Sequence, residues 1–444
     1  MSTSFQNKIP NSLNEHWMPF SSNKDFKKNP RIIVKAEGIY LKTHDGNTLI
    51  DGSSGLYCNP LGHGRKEIIE AIKNQLENLD YTMPFQQGYG GSFELATMIA
   101  QKTPEDLNRI FYTICGSTAV ETAIKIAVAY FRSIGQNNRF KFVGRERGYH
   151  GMNIGALTVG GIPNNSKEFK NILMPGVEHI RHTFLPEHKF VKGQPDTGSE
   201  LADDLEVIAK KLGGENIAAC IVEPIAGSTG TLIPPKDYLQ KLRKICDRHG
   251  ILLIFDEVIA AFGRLGAPFA AQRLEVMPDI ITTAKGLSNG VIPIGAVLVR
   301  DTIYEAFMQG PESIVELFHG YTYSGHPVAA AAGIAALDVY KEEGTFEQAL
   351  SIEKHFEDLL HSFKDQKNVI DVRNFGLMGA IEIAPRDGAP GARGGEMHKR
   401  CFWEANVVVR NVMDVLCFSP FFNSKPDEME KSFLKIRHIL DSIE

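Results

Sequence analysis

Short apolar runs alternate with helical segments through the middle of the chain. Residues 118–131 and 236–249 predict helices, because their apolar residues recur at helical spacing. Four mostly apolar runs predict strands: residues 109–113, 218–222, 251–255 and 279–283. Strands that alternate with helices in this way are typical of an α/β fold built on a mostly parallel sheet.

The segments on either side of this core predict further elements. Residues 31–51 suggest a hairpin turned at residues 44–47, and the Ala-rich residues 327–341 predict a helix. The Gly- and Pro-rich residues 384–395 are expected to form a surface loop. We expect three regions: an N-terminal segment that contributes to a small domain (1–60), a large α/β domain (61–325) and a C-terminal small α+β domain (326–444).

Composition and charge narrow the class of protein. The 444 residues carry a net charge of −5 with both signs scattered, so nothing resembles a nucleic-acid-binding patch. No apolar run approaches the length of a membrane span, and the polar residues 1–14 lack the apolar core of a signal peptide. We therefore expect a cytoplasmic protein with small-molecule partners, and no nucleic acid or membrane partner.

Neither the cysteines nor the histidines predict a metal site. The six cysteines form no Cys-x-x-Cys pair, which favours free thiols over a disulfide framework or a zinc site. Three histidines, His179, His182 and His188, lie in a polar connection without a carboxylate or cysteine at ligand spacing. We therefore expect no metal.

Chemically useful residues follow each predicted strand. Gly116 and Ser117 come after the first strand, Glu223 after the second, Asp256 after the third and Lys285 after the fourth. In an open parallel sheet, ligands bind beyond the carboxyl ends of the strands. One sheet edge therefore collects a helix start, two carboxylates and a lysine, which is the set of groups that a pyridoxal phosphate (PLP) site needs.

Lys285 and Asp256 are the candidate catalytic pair. PLP is held as a Schiff base on a lysine, and Gly286 lets the backbone turn sharply after Lys285. A buried carboxylate beside the pyridine nitrogen keeps it protonated and strengthens the ring as an electron sink. Asp256 follows an apolar run and would be costly to bury without a cationic partner. Its neighbour Glu257 should point the other way and be structural.

Three further features predict contacts with a ligand. Gly116 and Ser117 open a helix whose N-terminus suits a phosphate, whereas P-loop and dinucleotide-binding motifs are absent from the sequence. Tyr149 could stack on a flat cofactor ring, although a core tyrosine is the ordinary explanation. Arg410 follows an apolar run and could either hold a carboxylate in bidentate fashion or be a surface charge.

In these motifs the chain resembles the class III (ω-amino acid) aminotransferases of PLP fold type I, which is the aspartate aminotransferase-like fold. The likeness covers nearly the whole chain, from Trp17 to Arg410. The motifs that carry it are Trp17-Met18-Pro19-Phe20, Gly62-His63-Gly64-Arg65, Tyr149-His150-Gly151, Phe255-Asp256-Glu257-Val258, Ala284-Lys285-Gly286 and His319-Gly320-Tyr321-Thr322-Tyr323-Ser324. Chance does not place so many specific motifs in one order.

The resemblance implies roles around the cofactor ring. Lys285 would carry PLP and move a proton to and from the substrate, and Asp256 would pair with the pyridine nitrogen. Tyr149, which we count with them as catalytic, and Val258 would pack on the two ring faces. Glu223 would hold the surroundings of the ring.

The resemblance also implies contacts at the phosphate and the substrate. Gly116 and Ser117 would bind the phosphate, and Thr322 would reach the phosphate of the neighbouring subunit. The protein would then be a homodimer or tetramer with shared active sites. Arg410 would bind the carboxylate of the substrate, and Tyr57 stands where the family has a tryptophan that lines the substrate pocket.

Several departures from the family pattern bear on the amine donor. Besides Tyr57, Thr118 stands where the phosphate turn has a glutamate. After Arg410, Met413 replaces a glycine and Phe421 replaces the last residue of a Pro-Pro-Leu sequence. These changes leave the PLP chemistry in place and alter the substrate pocket.

We expect a transaminase that transfers the amino group of an ω-amino acid, with β-alanine favoured, to pyruvate, giving alanine and a semialdehyde. One alternative is another donor, such as taurine, putrescine or an aryl amine. Decarboxylation or racemisation would use the same electron sink. From another class, a non-catalytic PLP-fold binding protein stays open.

Overall fold

The computed structural model describes residue 9 and residues 12–444. Most of the polar segment 1–14, on which the expected location in the cell depends, lies outside the described residues. Among those that are described, no helix combines the length and the apolar character needed to cross a bilayer.

The strands form three sheets. Numbered β1 to β15 in chain order, they are Ile33–Glu37, Tyr40–Thr43, Thr48–Asp51, Arg109–Thr113, Lys141–Arg145, Val177–Ile180, Ile217–Val222, Leu252–Asp256, Ile280–Thr283, Gly295–Val299, Val369–Phe375, Met378–Ile383, Val407–Val408, Arg410–Val412 and Val415–Phe418. The right-handed α-helices are Asn23–Lys28, Lys66–Asn78, Gly90–Ala100, Gly116–Ser133, Ile154–Val159, Pro163–Ser166, Asp203–Leu212, Tyr238–His249, Ala270–Arg273, Asp301–Phe307, Pro327–Glu342, Thr345–His361, Ala392–Arg400 and Pro426–Asp441.

The central sheet has seven strands in the order β4-β10-β9-β8-β7-β5-β6. Its strands run parallel except β10, which is antiparallel to both of its neighbours. Every residue of β7 and β8 is buried, because helices cover both faces of the sheet. The predicted α/β class and all four predicted central strands are confirmed.

Two smaller four-stranded sheets flank the central one. The first has the order β1-β2-β3-β13, so a strand near the end of the chain completes a sheet begun near its start. In this sheet Ile50 of β3 pairs in parallel with Val407 of β13. The second has the order β11-β12-β15-β14. The domain boundaries near residues 60 and 325 stay a prediction.

Two local predictions need correction. The expected hairpin at residues 31–51 is a meander of three strands, because Gly38, with φ of +58°, makes an additional turn between β1 and β2. The expected loop at residues 384–395 gives way to a helix at Ala392. The carboxylate of Asp414 accepts hydrogen bonds from the backbone N–H groups of Gly391 (2.5 Å) and Gly394 (2.8 Å), which anchors the start of that helix.

Candidate active site

The residues that follow the central strands meet at one cavity of about 350 Å³. Its wall is formed at the carboxyl ends of β7, β8 and β9 and at the start of the Gly116–Ser133 helix. Seven predicted site residues line it: Gly116, Ser117, Tyr149, Glu223, Asp256, Val258 and Lys285. The volume is within the usual range of small-molecule sites. The strand-end argument therefore identified a common cavity.

Lys285 lies two residues beyond β9, in a tight turn. Its φ of +38° is unusual for a residue with a side chain, so the neighbouring structure holds the backbone there. Burial lowers the pKa of Lys285, and the positive charge of Arg410 lowers it further. Within the described residues the amine makes no hydrogen bond or ion pair, and it lies 5.4 Å from the centre of the Tyr57 ring. It is a half-buried amine with a lowered pKa.

Asp256 is the last residue of β8 and is buried. One carboxylate oxygen accepts hydrogen bonds from the Val258 N–H (3.1 Å) and the Thr282 hydroxyl (3.2 Å). The other oxygen lies 2.7 Å from Nδ1 of His150, whose Nε2 has no partner among the described residues. Since a carboxylate can accept about four hydrogen bonds, Asp256 can accept another from a ligand in the cavity.

His150 has no role that the sequence alone predicts, although it belongs to the Tyr149-His150-Gly151 motif. Its contact with Asp256 spans two distant parts of the chain, which a motif alone does not reveal. A search for donors that could hold a buried Asp256 would have raised it as a candidate.

The two glutamates have different functions in the structure. Glu223 lines the cavity and accepts hydrogen bonds from the backbone N–H groups of Tyr149 (2.9 Å) and Gly227 (3.1 Å). Burial raises its pKa, and the nearby Asp256 adds to the rise. Glu257 points away and accepts from the N–H groups at the start of the Ala270–Arg273 helix. The predicted structural role of Glu257 is confirmed.

The Gly116–Ser133 helix directs its first turn at the cavity. A Cβ atom on Gly116 would lie 2.8 Å from Cγ1 of Val258, so only glycine fits without displacement. The Ser117 hydroxyl accepts a hydrogen bond from the Met152 N–H at 3.3 Å and can still donate to a ligand. Thr118, which replaces a family glutamate, accepts from the Cys115 N–H at 3.0 Å and so closes the turn.

Tyr57 and Arg410 are not among the residues that line the cavity. Tyr57 is buried behind Lys285, and its ring centre lies 6.0 Å from the guanidinium carbon of Arg410. Arg410 donates from Nη2 to the backbone oxygen of Ser228 at 3.1 Å, and Ser228 is part of the cavity wall. Arg410 is therefore within reach of the cavity, through the loop at residues 227–230.

Tyr57 ends a left-handed turn of four residues. The φ angles of Ser54, Gly55, Leu56 and Tyr57 are +44°, +56°, +64° and +66°. Asp51 holds this turn, because its carboxylate accepts hydrogen bonds from the Ser53 N–H (3.0 Å) and the Gly55 N–H (2.7 Å). The next residue, Cys58, lines the cavity. The sequence does not predict this turn, because only one of its four positions is occupied by glycine.

Thr322 lies outside the cavity lining. It is exposed, and its backbone oxygen accepts a hydrogen bond from the Tyr81 hydroxyl at 3.1 Å. Within the part of the chain that is described, no group of three or more His, Cys, Asp or Glu side chains is placed to hold a metal ion.

Comparisons with known proteins identify the family. The profile of the family "Aminotransferase class-III" matches residues 21–440. An omega-aminotransferase of Caulobacter vibrioides is 48% identical over 98% of this chain and 99% of its own. A beta-alanine–pyruvate aminotransferase of Pseudomonas aeruginosa is 47% identical over 97% and 96%.

Solved structures give the same result for the fold. An omega transaminase from Pseudomonas jessenii, solved in complex with PMP, has a TM-score of 0.90 at 30% identity and covers 96% of both chains. A thermostable (S)-enantioselective omega-transaminase from Thermomicrobium roseum has a TM-score of 0.90 at 31% identity. The chain belongs to the class III aminotransferases, and it is a transaminase of PLP fold type I.

Proposed function

We propose that this transaminase binds PLP through Lys285, with Asp256 at the pyridine nitrogen and Gly116 and Ser117 at the phosphate. The observation that carries the proposal is one cavity that holds a deprotonatable lysine, a buried carboxylate and an open helix start. When bound, PLP supplies an electron sink for the carbon that exchanges its amino group. Lys285, Asp256 and the start of the helix are all in this one wall.

Each residue of the site would have a separate role in the reaction. Burial keeps the Lys285 amine available as a base, so it can take a proton from the substrate and return it. Asp256 would keep a proton on the ring nitrogen, and His150 would hold Asp256 in position from behind. Tyr149 and Val258 would pack on opposite faces of the ring. Glu223 would fix the backbone beside Tyr149.

We propose an ω-amino acid as the donor, with β-alanine favoured, and pyruvate as the acceptor. Support comes from relatives that are named for these substrates and match over nearly the full length. Both substrates carry a carboxylate, and Arg410 offers a planar pair of donors that suits one. Its unpartnered Nη1 atom leaves a donor for that purpose. One arginine would then serve both halves of the reaction.

We also propose that the protein is a homodimer or tetramer in which neighbouring subunits share active sites. Thr322 is exposed and does not line the cavity of its own chain, and we propose that it binds the phosphate in the partner's site. Large apolar side chains around it are also exposed, including Phe318 (89%) and Tyr323 (57%). Exposed apolar groups of this size usually mark an interface.

The test is a comparison of amine donors with pyruvate, monitored by the alanine that forms. β-Alanine should be a better donor than taurine, putrescine or an aryl amine. Arg410→Ala should lower kcat/KM for β-alanine and pyruvate by about 10²–10³-fold, since loss of a buried charge pair costs roughly 2–5 kcal/mol. A carboxylate-free amine should lose much less in the first half-reaction.

Three results would count against the proposal. A wild-type enzyme that turns over simple amines but ignores β-alanine would refute the donor. An Arg410→Ala variant with normal pyruvate turnover would refute the role of Arg410. A purified protein that stays colourless with added PLP would favour the non-catalytic alternative.

A further inference from the structure

Tyr57 and Arg410 each carry a buried polar atom without a partner. Within the described residues, the phenol oxygen of Tyr57 and Nη1 of Arg410 make no hydrogen bond. The two side chains are neighbours, with 6.0 Å between the guanidinium carbon and the ring centre. We propose that the Tyr57 hydroxyl is a positioning residue that accepts a hydrogen bond from Arg410 and so fixes the guanidinium for the substrate carboxylate. This inference rests on the proposed function.

The chemistry of the two groups supports this pairing. A guanidinium has only donors, and each Nη atom carries two N–H groups, so Nη1 can donate one hydrogen bond to a neighbouring acceptor and another to the substrate carboxylate. A phenol oxygen can accept, whereas the indole of a tryptophan can only donate. Burial raises the pKa of Tyr57, so the hydroxyl is neutral at ordinary pH and brings no competing negative charge. Tyr57, in place of the tryptophan that the resemblance leads one to expect, therefore gives Arg410 a partner.

The backbone conformation at Tyr57 restricts the movement of the Tyr57 side chain. A left-handed conformation costs roughly 1–2 kcal/mol for each residue with a side chain, so the surrounding contacts must enforce it. Asp51 supplies two of them, and the Ser54 hydroxyl donates to the backbone oxygen of Ser419. The phenol is thus mounted on a backbone with little freedom.

The Tyr57 ring also lies close to both of the groups that would hold the two ends of a substrate. The Lys285 amine, where the exchange takes place, is 5.4 Å from the ring centre, and Arg410 is 6.0 Å from it. Fixing Arg410 against this ring fixes the position at which a carboxylate can be held relative to Lys285.

The test uses Tyr57→Phe, which removes only the oxygen, and Tyr57→Trp, which keeps an aromatic wall without an acceptor. Tyr130→Phe, at the far end of the Gly116–Ser133 helix, is the control for loss of a remote hydroxyl. Propionate serves as a carboxylate that cannot react, and its Kd for the holoenzyme is measured by calorimetry. Both Tyr57 variants should bind propionate about tenfold more weakly, which is the size expected for a hydrogen bond to a charged group.

Kinetics separate positioning from general damage. In Tyr57→Phe the loss with β-alanine and pyruvate should appear mainly in KM, and a carboxylate-free amine should lose much less. Unchanged propionate binding in Tyr57→Phe would overturn the inference, as would equal losses for both kinds of amine. If one of the two Tyr57 variants does not fold, the other can be compared with the wild type in the same way, because neither a phenylalanine nor a tryptophan side chain can accept a hydrogen bond from Arg410.

The inference can fail independently of the proposed function. If Arg410→Ala weakens propionate binding and Tyr57→Phe does not, Arg410 binds the carboxylate without help from Tyr57. If Arg410→Ala leaves propionate binding unchanged, the carboxylate role of Arg410 is wrong, and the role of Tyr57 falls with it.

Discussion

Replacing Gly116 with alanine tests whether the helix start and Val258 together form the cofactor cradle. The added Cβ would lie 2.8 Å and 2.9 Å from the two methyl carbons of Val258, where about 0.7 Å more is needed for ordinary contact. A β-branched valine has few alternative rotamers, so the helix start must move. Overpacking of this kind costs about 1–3 kcal/mol.

The expected result has two parts. Without PLP, Gly116→Ala should melt a few degrees below wild type, as followed by circular dichroism. Because the displaced N–H groups would bind the phosphate, Kd for PLP should rise by about tenfold or more, measured from the absorbance of the bound cofactor. Val258→Ala should restore much of both losses in the double variant, because it removes the methyl groups that obstruct the new side chain.

Gly90→Ala is the matched control for this experiment. Gly90 also begins a helix, yet nothing lies within 4 Å of the place where its Cβ would be. Alanine there should leave stability unchanged or raise it by up to about 1 kcal/mol. If Gly116→Ala behaves like Gly90→Ala in both melting and PLP affinity, then Val258 and the helix start do not form a tight cradle.

Three further predictions follow from the site. Lys285→Ala should lose the pyridoxyl label that borohydride fixes on the wild type, as seen by peptide mapping, whereas Asp256→Ala should keep the label and lose most activity. A label on another wild-type lysine would contradict this. Burial raises the pKa of Glu257 to about 8 from 4.5, so its contribution to stability is full at acid pH and is lost as pH rises through about 8. In Glu257→Gln, the melting temperature should depend less on pH between about pH 5 and 9 than it does in the wild type. The same pH dependence in both proteins would contradict this prediction. When Lys285→Ala and Thr322→Ala chains are co-expressed, the activity should exceed that of either variant expressed alone, because a mixed dimer has one site with both native residues. If the activity does not increase, Thr322 acts in the site of its own chain.

The apolar pattern predicted the central sheet because its strands are buried on both faces. Such strands are continuous apolar runs, and the residue after each run must lie at the sheet edge. That is why Glu223, Asp256 and Lys285 could be placed in one cavity before the structure was considered. The resemblance to a family then supplied roles that spacing alone does not contain.

The sequence could not predict features that depend on contacts between distant segments. The left-handed turn at Tyr57 is enforced by Asp51 and Ser419, and its own residues do not favour it. The contact between His150 and Asp256 likewise joins two separate loops. Glycines usually disfavour helices, so residues 384–395 predicted a loop, whereas in the structure Gly394 allows the helix at Ala392 to pack closely against Met413.

The pairing of β3 with β13 has a consequence for synthesis on the ribosome. Ile50 leaves the ribosome long before its partner Val407 is made. At about 5–20 residues per second, β3 waits roughly 20–70 s for that strand. During this interval the nascent chain presents an open strand edge, which is the kind of surface that chaperones cover. The sheet that begins with β1 is therefore completed only after nearly the whole chain has been made.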